Sequence, residues 1–110
     1  MTLELTSITK EIYDSANRLK KGSGEIFKLA KEKAEKERDY RRALALEIIK
    51  LKSGGMAATL ISDVARGNTA DLKFERDLAE AKYVAGRESL EAIQSQMTGL
   101  QSILKHQTEA

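Results

Sequence analysis

Few residues in this chain are equipped for chemistry. Cysteine, proline and tryptophan are absent and His106 is the single histidine, so the sequence holds no thiol nucleophile, disulfide, CxxC pair or multi-histidine metal set. His106 stands near the end, in Lys-His-Gln-Thr-Glu-Ala, and reads as an exposed residue or a partner for the negative end of a helix dipole. Carboxylates such as Glu75 and Glu80 have no ordered partner, and Gly54-Gly55 lacks the Lys-Ser/Thr that completes a phosphate loop. The sequence therefore predicts a non-enzymatic protein with no catalytic residues, cofactor, metal or small-molecule substrate.

Two groupings are suited to binding. The densest charge runs from Lys28 to Arg42 and lifts residues 24–53 to a net charge of +3, against +2 for the whole chain. On a helix, Lys28, Lys31, Arg38 and Arg42 project along one face with Tyr40 and Phe27 nearby, a stripe that could follow a nucleic-acid backbone and stack bases. The same run places Glu32 before Lys36 and Glu37 before Arg41 at i,i+4 spacing, which suits a plain solvated surface. Residues from 69 onward carry −2, and this asymmetry serves subunit pairing equally well. The second grouping is SGGMAATLISDVARGN, residues 53–68. Its Met56, Leu60, Ile61 and Val64 recur at helical spacing, either as a cap packed over the end of a hairpin or as a tip that docks a partner. Asp63 and Arg66 are spaced for an ion pair within that helix.

The elements that carry these groups are helices. With 14 Ala, 13 Leu, only two Val and no Pro in 110 residues, the composition favours long amphipathic helices over a sheet. Glycine is the only punctuation. It predicts a helix over about 6–21, a break or kink at Gly22-Ser23-Gly24, a long helix over about 25–52, a stop at Ser53-Gly54-Gly55, and a short helix over about 56–66 closed by Gly67. Asn68 reads as the N-cap of a final helix over about 69–107. Whether the first helix continues the second or folds back is left open by the pattern.

Alternate steps of four and three along the final helix give Leu72, Arg76, Ala79, Tyr83, Gly86, Leu90, Ile93, Met97, Leu100, Leu104 and Gln107, apolar at eight of eleven positions. That is a coiled-coil seam. The same stepping from Ile12 gives Ile12, Ala16, Leu19, Ser23, Ile26, Ala30, Lys33, Glu37, Tyr40, Leu44, Glu47 and Leu51, with a polar gap at Lys33 and Glu37. Pairing the seams antiparallel about the 53–67 connection sets Leu51 against Leu72, Tyr40 against Tyr83, Ile26 against Met97, Leu19 against Leu104, and Glu37 against Gly86. The expected architecture is all-α, a single domain over 1–110 built as an antiparallel helical hairpin, or coiled-coil-like bundle, with a short helix at the turn. At about 1.5 Å per residue the final helix outruns the 25–52 helix, so an elongated protein is expected. The 31 large apolar residues fill a narrow seam, yet Ile48, Ile49, Phe27, Phe74, Leu78 and Ile103 fall outside it, so a third helix or a second subunit is expected to cover them. No stretch approaches 18 uncharged apolar residues and the start lacks the pattern of a signal peptide, which predicts a cytoplasmic protein with no membrane partner.

The stretch from Asp39 to Lys105, with two charged helices around a Gly-containing turn, Ala79-Glu-Ala-Lys-Tyr83 and Leu100-Gln-Ser-Ile-Leu-Lys105, resembles small helical proteins of bacteriophages and prophages. Its layout is similar to that of the recombination mediators of T-even phages, all-helical oligomers that bind single-stranded DNA and help load a recombinase. The resemblance implies a homo-oligomeric accessory factor of DNA recombination or replication in a bacterial host cell; in that reading the basic face described above, Lys28, Lys31, Arg38 and Arg42, contacts phosphates. The alternative from the residues alone is a coiled-coil module that binds protein, as an adaptor, assembly factor or inhibitor, without nucleic acid.

Overall fold

The computed structural model describes residues 2–109, and their side chains from residue 4 to residue 108; Met1 and Ala110, the ends of the expected domain, lie outside the described residues. Among the described residues three helices follow one another: α1, Thr2–Ser53; α2, Ala58–Asn68; and α3, Ala70–Glu109. Among the described residues there is no strand. The long helices α1 and α3 pack on each other with α2 at the turn, so the predicted all-α hairpin is present.

α1 runs through Gly22, Ser23 and Gly24 as one helix, so the break that the sequence allows there is absent. An interior glycine costs a helix about 1 kcal/mol relative to alanine, too little to end one supported by packing on both sides and free of proline. The helix ends instead at Gly54-Gly55. There Met56 N–H donates to Leu51 C=O at 3.2 Å and Gly55 N–H to Lys52 C=O at 3.2 Å, the paired bonds of a Schellman cap. Gly55 takes φ +82°, a left-handed conformation that glycine adopts without a Cβ clash. Lys50 and Lys52 lie in the last turn, where cations complement the helix dipole.

The stop at Gly67 and the N-cap at Asn68 are not realised: α2 continues through both residues. Thr69 carries the backbone ladder onward, donating its N–H to Ala65 C=O at 3.1 Å and accepting Lys73 N–H at 3.1 Å. Its hydroxyl also donates to Ala65 C=O, at 2.8 Å. The Asn68 amide, freed from capping, donates to Glu47 Oε1 on α1 at 2.7 Å. α2 therefore already belongs to the returning arm of the hairpin, and the reversal is confined to Gly54–Ala57.

The chain divides into two compact units, Met1–Lys28 with Val84–Ala110, and Leu29–Tyr83. In the Leu29–Tyr83 unit the early turn shifts the pairing by about two helical turns from the register predicted about 53–67. Arg76, not Tyr83, lies against Tyr40; Lys33 lies against Tyr83; and Glu37 meets Arg76 in place of Gly86. In the Met1–Lys28 and Val84–Ala110 unit the inward positions of α1 are Ile8, Ile12, Ser15, Leu19, Gly22 and Ile26, whereas Ala16 and Ser23, predicted as seam, are exposed. Gly22 is inward because a Cβ there would collide with Leu90 Cδ2. All eleven predicted seam positions of α3 are buried or half-buried, each within its own unit.

The core is thin. Tyr40, Ala65 and Ala79 are the buried apolar residues, Ser15 and Thr69 the buried polar ones, and among the described residues no large side chain is fully enclosed. Tyr13, Phe27, Leu46, Ile49, Leu60, Phe74 and others stand exposed.

Candidate functional site

The richest cluster of side chains lies in the Leu29–Tyr83 unit, where a polar layer interrupts the apolar seam. On α1, Lys33, Lys36, Glu37 and Tyr40 recur at helical spacing; on α3 Glu75, Arg76 and Tyr83 meet them, with Asp77 bonded to Arg76 on its own helix and Glu80 at the edge of the groove beside them. The Arg76 guanidinium sits over the Tyr40 ring, 4.7 Å from its centroid, and Lys33 Nζ lies 5.1 Å from that of Tyr83. Such cation–ring contacts draw the positive charge to the negative face of the aromatic ring. Arg76 side chain is 24% exposed, Nε 3.5 Å from Glu37 Oε2, while its fork donates to Asp77 at 3.1 and 2.9 Å. Lys36 Nζ reaches Glu75 at 3.4 Å across the pair of helices.

The electrostatics follow from these contacts. Glu37 accepts a 2.7 Å hydrogen bond from Arg41 and lies near the Arg76 and Lys33 charges, so its carboxyl is held below the ordinary glutamate range. Hydrogen bonds from Arg76 and Lys73 lower Asp77 in the same way, and Asp77 in turn raises Arg76. Beside the layer, Ala30 and Ala34 leave an open groove of about 560 Å³, edged by Lys33, Glu37, Arg76, Glu80 and Tyr83. Two cations and two carboxylates balance there. The layer holds neither a nucleophile with its base nor, among the described residues, three groups able to share a metal ion.

The predicted binding residues are placed variously. Lys28 pairs with Glu25 at 3.4 Å, Lys31 with Glu35 at 3.8 Å and Arg38 with Asp39 at 3.1 Å, all exposed; Arg42 has no ion-pair partner among the described residues. Tyr40 is 8% exposed with one ring face under Arg76, so it is a seam residue and not a stacking platform for a base. The predicted Glu37–Arg41 pair forms, but Lys36 reaches Glu75 and not Glu32. At the tip, Met56, Ile61 and Val64 are half-buried and Leu60 faces solvent. Asp63 and Arg66 form an exposed pair at 3.7 Å. Leu72 and Tyr83 line the seam of the Leu29–Tyr83 unit, and Leu90, Ile93, Met97, Leu100 and Leu104 that of the other. His106 is exposed in the last turn of α3.

The polar layer itself is missed by sequence reasoning as a unit. Its signal is present as Lys33 and Glu37 in one seam and Arg76 in the other, which align once the reversal is placed at Gly54–Ala57. Comparison with family models, with curated proteins and with solved structures finds no match for the chain. Among the described residues no helix is long and apolar enough to cross a membrane.

Proposed function

We propose that this chain is a non-enzymatic, self-associating helical interaction module, which acts by presenting the apolar outer faces of its helices to another polypeptide. The observation that carries this reading is the imbalance between core and surface. Among the described residues ten large apolar side chains are exposed, while the buried apolar set is Tyr40, Ala65 and Ala79. Those exposed side chains present apolar surface to water. Leaving that surface wet forgoes about 25 cal/mol for each Å² of apolar area that a partner would cover.

The alternative, an accessory factor binding single-stranded DNA in phage recombination or replication, draws support from Arg42, exposed and without an acidic partner among the described residues. It is the weaker reading, because Lys28, Lys31 and Arg38 are matched by neighbouring carboxylates and Tyr40 is enclosed. Light scattering from about 1 to 100 µM, combined with a single-stranded DNA titration across a salt series, separates the two. The interaction module predicts masses above the 12.2 kDa of one chain and no salt-dependent DNA binding. A monomer throughout, binding DNA with a salt slope that Arg42→Glu reduces, would overturn it.

A further inference from the structure

We infer that the polypeptide covering these faces is a second copy of this chain, docked through the outer face of α3 at Phe74 and Leu78 onto the outer face of α1 at Ala45 and Ile49. This rests on the self-association reading above and adds the surface that carries it. Phe74 is 66% and Leu78 43% exposed, and both point away from the α1–α3 seam. With Asp71 one turn before them and Ala81 after, they form a second heptad stripe with steps of three, four and three. α1 carries its counterpart at Arg42, Ala45, Ile49 and Lys52, with the same steps and also turned outward. Ile49 is 60% exposed, and Leu46 beside it 67%.

The charges on the two stripes are complementary and otherwise unused. Arg42 and Asp71 are exposed and have no ion-pair partner among the described residues, and each stands one turn before the apolar pair of its stripe. A parallel alignment of the stripes from two copies therefore sets Arg42 beside Asp71, Ala45 against Phe74 and Ile49 against Leu78. A small residue then faces a large one in the first layer and branched aliphatics meet in the second. The net charges agree, with residues 24–53 at +3 and residues from 69 onward at −2. Within one chain the stripes cannot meet, because both point away from the contact between α1 and α3.

The absence of cysteine makes a direct test simple. An Arg42→Cys chain is mixed with an Asp71→Cys chain and treated with a short bis-maleimide. Mixed dimers are expected in clear excess over either homodimer. In parallel, sedimentation of Phe74→Asp and of Ile49→Asp is expected to raise the dissociation constant of self-association about tenfold or more, with helicity by circular dichroism unchanged, while Leu60→Asp at the tip leaves it as in the wild type. If the wild-type chain assembles but both Asp variants assemble equally well, or homodimer cross-links dominate, the stripe assignment is overturned and the self-association reading survives. A wild-type chain that stays monomeric overturns both.

Discussion

Gly22 and Gly24 lie two residues apart in α1 and do different things. A Cβ at Gly22 would collide with Leu90, whereas nothing lies within 4 Å of one built at Gly24. Interior glycine costs a helix about 1 kcal/mol relative to alanine, so Gly24→Ala is expected to stabilise the chain by about 0.5–1 kcal/mol. Gly22→Ala should fall short of that gain because Leu90 must move. Urea unfolding of both variants checks the ordering; equal stabilisation would contradict the close approach. Glu37 makes a second residue-level prediction. Its lowered carboxyl owes first to the Arg41 hydrogen bond and then to the Arg76 charge, and Asp77 is lowered likewise. Such groups contribute stability that is fully present above the ordinary carboxylate range and is lost as pH falls through their folded values. The thermal midpoint is thus expected to drop on acidification from about pH 5 to pH 3, and Glu37→Gln to flatten part of that drop. An acid profile identical to the wild type would remove Glu37 from the account.

The helices themselves are set by signals of unequal clarity. The α3 seam is readable because apolar residues fill most of its heptad positions, and every one of those positions is turned inward in its unit. The N-terminal part of α1 is not, because Ser15 and Ala16, or Gly22 and Ser23, differ little in apolar character, and the inward choice is made by the close approach to Leu90. Register fails for a related reason. Gly67 and Asn68 have the residue types of a helix stop and an N-cap, but Thr69 keeps the ladder intact and Asn68 bonds to Glu47, so the return arm starts earlier than those signals imply. Two tests follow at this scale. Gly55→Ala forces a Cβ into a left-handed conformation and should cost about 1–2 kcal/mol in chemical unfolding; a neutral result would deny the Schellman cap. A Lys36→Cys, Glu75→Cys double variant should form an intramolecular cross-link with a short reagent, as their 3.4 Å ion pair requires. Failure to cross-link would return the register to one centred on the middle of the 53–67 segment.

For the whole molecule, the binding candidates are sorted by what already occupies them. Three of the four basic residues proposed for phosphate contact are matched by carboxylates one to four residues away, and the aromatic between them is enclosed. The exposed apolar residues have no such partner among the described residues, and a thin core gives the folded state little to spare. Assembly should therefore stabilise the fold itself, so that the thermal midpoint rises with protein concentration by mass action. Sequence alone supplies half of this: Phe74, Leu78 and Ile49 stand off the seam in the heptad count, but which outward face complements which depends on knowing that Arg42 and Asp71 find no ion-pair partner among the described residues. Sedimentation equilibrium of the wild-type chain beside Phe74→Asp, from about 1 to 100 µM, is the most direct measurement. The self-association account predicts a weight-average mass above 12.2 kDa that rises with concentration for the wild type and lies nearer the monomer for the variant. A wild-type mass that stays at the monomer value across the range would contradict it.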